Sequence, residues 1–296
     1  MTQQPYLAHI APDGREQTVE EHLQGTAQLC GSFAAAFGEE ERGRFLGYAH
    51  DIGKCSDAFQ KRLHGGPRVD HATAGALECA KVGENAMACC VVGHHGGLPD
   101  FGNPKTDYLG TPTCAGRIKK AQAGGIPPYH WQGTLPPPGK QPSITDLYTL
   151  SMWTRMLYSC LVDGDYLDTE RFMAEAQPRR GGYDPLTVLL ERLNRHIAPW
   201  FPGNTELNQN RCAILSECLK KAVLPRGIYS LTVPTGGGKT VSSLAFALKH
   251  AVTHGLDRVI YVIPYTSIIE QNAAVFRKIL GDENVVEHHS GVTFDE

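Results

Sequence analysis

Between residues 18 and 37 apolar side chains return every three or four positions: Leu23, Ala27, Cys30, Ala34 and Phe37. That spacing marks one face of a helix. Thr18 with Glu21 three residues later reads as a capping box, and Gly38 ends the run. Residues 43–51 predict a second helix, followed by Gly53. Residues 70–81 and 84–93 predict a third and a fourth, alanine-rich and suited to close packing. Residues 96–142 break the pattern. Glycine and proline abound, with three prolines at 136–138, and a long irregular insertion is expected. Periodicity resumes over 143–162, with Leu147, Leu150, Met156, Leu157, Cys160 and Leu161 on one side, and again over 184–198. Apart from the insertion, the first two hundred residues or so read as all-α.

After Pro202 the texture changes. Ile228–Val233 and Arg258–Pro264 are short runs of the kind found in buried strands. Each precedes a helical stretch, the first ending at His254 before Gly255, the second beginning at Thr266. Residues 284–290 read as the start of a third strand. Alternating strand and helix predicts a parallel α/β sheet. The chain is therefore expected to be multi-domain, with an all-α domain over 1–203 and an α/β domain over 204–296. The boundary is placed near 200–206.

Composition narrows the classes. An apolar fraction of 41% is enough for a core. The balance of 28 basic to 31 acidic residues excludes a broad nucleic-acid glove, though not a local groove. No run of 18 apolar residues suggests a membrane span, and the N-terminus lacks the basic start and apolar centre of a signal peptide. The nine cysteines are scattered with no C-x-x-C pair, which fits reduced thiols in a cytoplasm better than a thiolate metal site.

The candidate chemistry lies in an ordered set: His22, then adjacent His50 and Asp51, His71, adjacent His94 and His95, and an acidic cluster of Asp163, Asp165 and Asp168. Imidazole and carboxylate bind first-row divalent metals. Each stands near the end of a helical run or beside glycines, where several helices can aim into one pocket. Side chains of adjacent helical residues diverge by about 100°, so His50 and Asp51 can serve different ions. Lys54, one turn on, either steadies a phosphate or lies on a solvated face. The single histidines, His9, His64, His130, His196, His250 and His254, are read as surface or satisfied core residues. His288 and His289 are read as structural.

This set resembles the HD superfamily of metal-dependent phosphohydrolases. The wording around it (EHLQGTAQL, AHDIGKCSDAFQKRL, DHATAGA, GHHGG, RMLYSCLVDGDYLDTE) is similar to the HD nuclease domain of the CRISPR-associated helicase-nuclease of type I systems, most like type I-C. The resemblance implies a di-metal centre of Mn, Fe, Co, Ni or Zn. His22, His50, Asp51 and Asp165 would hold one ion. Asp51 would bridge to a second, held by His71, His94 and His95. Of the acids, Asp165 best matches the family's position. Asp163, about 200° away on a helix, would then face elsewhere. His50, Asp51 and Lys54 are the expected catalytic set. The implied partners are single-stranded DNA and an RNA-guided CRISPR surveillance complex, with no membrane. Tyr48, Phe59, Trp131 and Trp153 are candidate stacking faces for bases.

Thr232–Thr240 (TVPTGGGKT) ends a predicted strand and opens a predicted helix, the context of a phosphate-binding loop. Thr235, Gly236, Gly237, Gly238, Lys239 and Thr240 would hold the phosphates and Mg²⁺ of ATP. Val233 stands where the general pattern has glycine, and the variant resembles superfamily 2 helicases instead. By that resemblance, Asn208 and Arg211 are candidates for adenine contact, and the segment after Ile263 for contact with single strands. No D-E-x-H box or second RecA-like domain appears in the sequence, where a Thr-Phe-Asp-Glu run is the nearest approach. The motor is read as a partial RecA-like (P-loop) domain, and ATP turnover is not expected of this chain. Two other readings stand beside a DNA nuclease: an HD-type nucleotide phosphohydrolase, and a non-catalytic fragment docking on the surveillance complex.

Overall fold

The computed structural model describes residues 5–109, 111–174 and 181–289, in two compact units that part between residues 178 and 179. In the first, a short antiparallel hairpin pairs β1 (Leu7–Ile10) with β2 (Glu16–Thr18). It leads directly into α1 (Val19–Ala34). Thr18 Oγ1 accepts from the Glu21 amide, and the Glu21 carboxylate accepts from the Thr18 amide, so the capping box forms as the sequence predicts. The remaining helices are α2 (Glu40–Ala49), α3 (Asp57–Leu63), α4 (Ala72–Lys81), α5 (Asn85–Gly93), α6 (Cys114–Gln122) and α7 (Leu147–Met173).

Helix α1 packs most extensively against α2 and α7, and α4 against α5. Their shared core holds Phe45, Leu46, Met87, Leu157 and Leu161. Beneath the hairpin, Ala8, Val19, Leu23 and Ile52 form a second cluster. The hairpin and α3 carry too few periodic residues to show in the sequence.

Within this first unit two expectations change. The insertion over 96–142 is not structureless: α6 lies inside it and buries Cys114 and Ile118 in the main core. Its later part straps down on the second cluster through Tyr129 and Trp131, and the His130 amide donates to Cys55 O at 2.7 Å. Helix α7 runs to Met173, beyond the expected 162, and of its predicted apolar side only Leu157, Cys160 and Leu161 are buried. Leu147, Leu150 and Met156 are exposed. Periodicity locates a face, but the core covers only the middle of this long helix.

The second unit contains α8 (Leu186–Ile197), α9 (Glu206–Lys221), α10 (Lys239–Thr253) and α11 (Thr266–Leu280). Leu189, Leu193 and Ile197 of α8 pack with Leu215, Leu244, Leu248 and Phe276. That packing draws α8 into this unit, so the division falls ahead of the expected 200–206. The expected parallel sheet is not formed: among the described residues of this unit there is no strand. Ile228, Ile260 and Val262 stand exposed where burial was expected. A parallel strand needs neighbours on its edges and helices on both faces, and these segments have no ladder to join. Residues 290–296, with the Thr-Phe-Asp-Glu run, lie outside the described residues. No described helix is long and apolar enough to cross a membrane.

Candidate metal centre

Five elements of the first unit converge. His22 projects from α1, His50 and Asp51 end α2, His71 precedes α4, His94 and His95 follow α5, and Asp165 lies inside α7. Helix α4 reaches the end of α2 only because residue 75 is glycine, since a Cβ there would overlap the Ala49 carbonyl oxygen. His22, His50, Asp51 and His94 are buried, while His95 is exposed and Asp165 partly so.

The ligand atoms fall into two groups that share Asp51, each within 4.8 Å. Around Oδ2 stand His22 Nε2 and His50 Nε2, both at 3.4 Å, with Asp165 Oδ1 at 3.3 Å from His22 and 3.5 Å from His50. Around Oδ1 stand His94 Nε2 at 3.4 Å and His71 Nε2 at 3.5 Å, with His95 Nε2 2.8 Å from His71. Two ligands about 2.1 Å from one ion, at 90–110° to each other, stand roughly 3.0–3.4 Å apart. The spacing within each group is therefore that of ligands around a single cation. Asp163 is exposed and belongs to neither group.

The tautomers agree. His50 Nδ1 lies 2.7 Å from Gly47 O, His94 Nδ1 2.7 Å from Val91 O and His71 Nδ1 3.2 Å from Val69 O. A carbonyl only accepts, so each Nδ1 carries a proton and Nε2 is the nitrogen turned to the centre, able to offer a lone pair once any proton of its own is given up. Asp51 Oδ1 and His94 Nε2 are buried without an aligned hydrogen bond, while Asp51 Oδ2 meets the Lys54 ammonium at 2.7 Å. Orphaned groups of this kind need a partner, and a divalent cation fits every donor present.

Charge points the same way. Burial opposes a proton on His50, yet Asp51 and Asp165 push its pKa up to about 10. Burial likewise opposes ionisation of Asp51 and Asp165. For Asp51, Lys54 and His50 prevail and hold it well below the ordinary carboxylate range; for Asp165, His22 and His50 do so. The centre thus draws positive charge inward. Toward the rim, burial and neighbouring His94 lower His95 to about 4, leaving it a neutral ligand.

Lys54 is buried, which removes the solvated-face reading. Its Nζ stands 2.7 Å from Asp51 Oδ2 and 3.0 Å from His9 Nε2. His9 is therefore not the bland residue expected. It packs edge-on to His22, and burial with the Lys54 charge lowers it to about 3, so it accepts from the ammonium. A lone histidine in a four-residue strand carries no spacing signal. Phe59 packs edge-on to His71, Tyr48 and Trp131 on the hairpin cluster, and Trp153 on the main core, so the proposed stacking aromatics serve packing first.

In the second unit the glycine loop turns through Gly236 and Gly238, both at positive φ, and α10 begins at Lys239. Lys239 is exposed, Arg211 Nε donates to Gly236 O at 2.8 Å, and Thr240 Oγ1 donates to Asn272 Oδ1 at 3.1 Å. The structure thus brings Arg211 to the loop, and Asn208, which donates to Asn204 Oδ1 at 2.8 Å, accepts from Arg211 Nη1 at 3.4 Å.

Compared with known families, residues 19–118 match the HD domain, and residues 206–296 match the type III restriction enzyme, res subunit. The chain thus carries an HD domain, the mark of a metal-dependent hydrolase, followed by a helicase-like region. The HD match takes in all six candidate ligands up to His95 and stops before Asp165. No curated protein matches the chain.

Proposed function

We propose that this protein is a metal-dependent nuclease that hydrolyses phosphodiester bonds of single-stranded DNA, working in CRISPR interference beside an RNA-guided surveillance complex. The observation that carries the metal chemistry is the division of Asp51: Oδ2 faces one ligand group and Oδ1 the other. Cations held in the two groups supply Lewis acidity, acidifying water and neutralising charge on phosphate oxygens. Asp51 would be shared between them, with His22, His50 and Asp165 holding one and His71, His94 and His95 the other. Lys54, held by His9 against Asp51, places a fixed positive charge beside the reacting phosphate.

The polymer substrate rests on the helicase-like match, whose relatives in the resemblance above handle nucleic acid. A flexible single strand can present its backbone to a recessed site more readily than a stacked duplex. The exposed edge at His95 opens onto a cavity of about 590 Å³ lined by Asp70, His71, His95, Gly96, Leu98 and Arg117. The glycine loop with Lys239 is assigned to nucleotide phosphates.

The test is cleavage of labelled circular single-stranded DNA by metal-stripped protein, with Mn²⁺, Fe²⁺, Co²⁺, Ni²⁺ or Zn²⁺ added back singly, wild type beside Asp51→Ala. Metal-dependent cutting that disappears in the variant is the expected result. Phosphate release from nucleotides with DNA left intact would make the protein a nucleotide phosphohydrolase instead. Inactivity toward both substrates with every ion would leave the docking role.

A further inference from the structure

One guanidinium ties together the chain segments that carry the Oδ1 half of the centre. Arg117 lies on α6, whose Cys114 and Ile118 are anchored in the main core. Its Nη2 donates to both oxygens of Asp70, at 3.1 and 3.0 Å, and to Thr73 Oγ1 at 2.6 Å. Its Nε donates to the same Thr73 hydroxyl at 3.0 Å, and its Nη1 to Val92 O at 3.0 Å. Asp70 in turn accepts from the Thr73 amide at 3.1 Å and from its hydroxyl at 2.7 Å, closing the start of α4.

The location matters more than the energy. Asp70 immediately precedes His71, and Val92 stands two residues before His94. Arg117 and Asp70 are about a third exposed, so as an ion pair they add little stability. As a planar fork, however, the guanidinium fixes where α4 begins relative to where α5 ends. His71 Nε2 and His95 Nε2 face each other at 2.8 Å across that junction. Among the described residues, the hydrogen bonds of Arg117 reach neither α1, α2 nor α7, which carry the ligands around Oδ2.

We infer that Arg117 is a positioning residue for one half of the metal centre: it sets the spacing of His71 against His94 and His95, and so the affinity of the Oδ1 group, while the Oδ2 group stands without it. This rests on the metal-centre reading above. It also gives the segment over 96–142 a role, since α6 works as a brace on the site.

The experiment is Mn²⁺ binding to the metal-stripped full chain, followed by calorimetry and by electron paramagnetic resonance, which distinguishes a coupled pair from a single ion. Wild type is expected to take up two ions with a coupled signal. Arg117→Gln should keep one ion at the wild-type affinity, bind the second at least tenfold more weakly and lose the coupled signal, within the roughly 10–100-fold range for residues that orient ligands. His71→Ala should show the same pattern, and Arg117→Lys, which keeps the charge without the fork, should fall between. Two ions at unchanged affinity in Arg117→Gln would overturn the inference, and so would equal weakening of both. If Arg117→Gln fails to fold, Asp70→Asn and Thr73→Ala pose the question with smaller changes, and an unchanged second ion in both overturns it. Failure of wild type to bind Mn²⁺ at all would instead remove the metal-centre reading.

Discussion

Asp168 Oδ2 lies 2.8 Å from His22 Nδ1, with the side-chain amide of Gln17 donating to the same oxygen at 2.9 Å. The acidic cluster on α7 is therefore divided by helical spacing: Asp165 faces the centre, Asp163 faces away and Asp168, one turn on from Asp165, orients a ligand from behind. Room for its carboxylate comes from Gly25, where a Cβ would overlap Asp168 Oδ1. Asp168 fixes the His22 ring so that Nε2 points to Asp51 and Asp165, and raises its basicity.

Asp168→Asn should therefore weaken the ion of the Oδ2 group by about 10–100-fold while leaving the Oδ1 group intact, the reverse of the pattern assigned to Arg117. Mn²⁺ calorimetry on the two variants side by side checks this. If both variants weaken the same ion, the two halves are not separately held.

Metal should also act as a stabilising ligand, because the ligand groups are assembled only in the folded chain. At a hundred times its dissociation constant an ion adds about 2.7 kcal/mol, lost on chelation. Thermal unfolding of wild type should shift upward with added Mn²⁺ and return on chelation. Asp51→Asn, which removes the shared charge, should lose most of the shift. An equal shift in the variant would place the stabilising ion elsewhere.

Much of this centre was legible before any coordinates. Ligand order and residue type survive in one dimension, and the helix that carries His22 announces itself by periodicity and a capping box, although the helices beside His50, His71 and His94 have no side-chain cap. What was not legible shows the limits of spacing. His9 reaches Lys54 through a hairpin too short to carry a pattern. Arg117 sits in a segment whose glycines and prolines hide a nine-residue helix. The resemblance favours Asp165 over Asp163, but the place of Asp168 behind His22 follows only from the course of α7. The strand-like runs of the second unit mislead in the opposite sense: composition signals a buried strand, but pairing is a property of the neighbours and not of the segment.

The strap over 126–141 makes its own demand on the core. Arg42 is fully buried and donates to Glu84 Oε2 at 2.6 Å, to Lys140 O at 2.8 Å and to Glu39 Oε2 at 3.2 Å, with its guanidinium over the Trp153 ring. Gln141 donates to the other Glu84 oxygen at 2.7 Å. Removing one partner leaves a buried charge uncompensated, at a cost of about 3–5 kcal/mol. Arg42→Met should lower stability to urea by about that amount. Arg42→Met with Glu84→Leu should recover a good part of it, since the fully buried pair is then removed together and Glu39, partly exposed, keeps its Trp153 donor at 2.9 Å. A double variant as unstable as the sum of the two singles would show that the charges act separately.

Gly75 gives a sharper test of how packing sets the site. Helix α4 passes so close to the end of α2 that the Ala49 carbonyl occupies the space a side chain would need, and that carbonyl belongs to the backbone leading into His50 and Asp51. Neither backbone can yield without moving His71 relative to Asp51. Alanine at this position ordinarily favours a helix over glycine by up to about 1 kcal/mol, but overpacking costs about 1–3 kcal/mol or more, so Gly75→Ala should be net destabilising. The variant should also show weakened binding of the Oδ1 ion even where it remains folded, because the clash lies between α4, which begins beside His71, and the backbone that leads into His50 and Asp51. Thermal unfolding and Mn²⁺ stoichiometry on the same sample separate the two effects. A variant that loses stability yet keeps both ions would mean that α4 gives way at a point remote from His71.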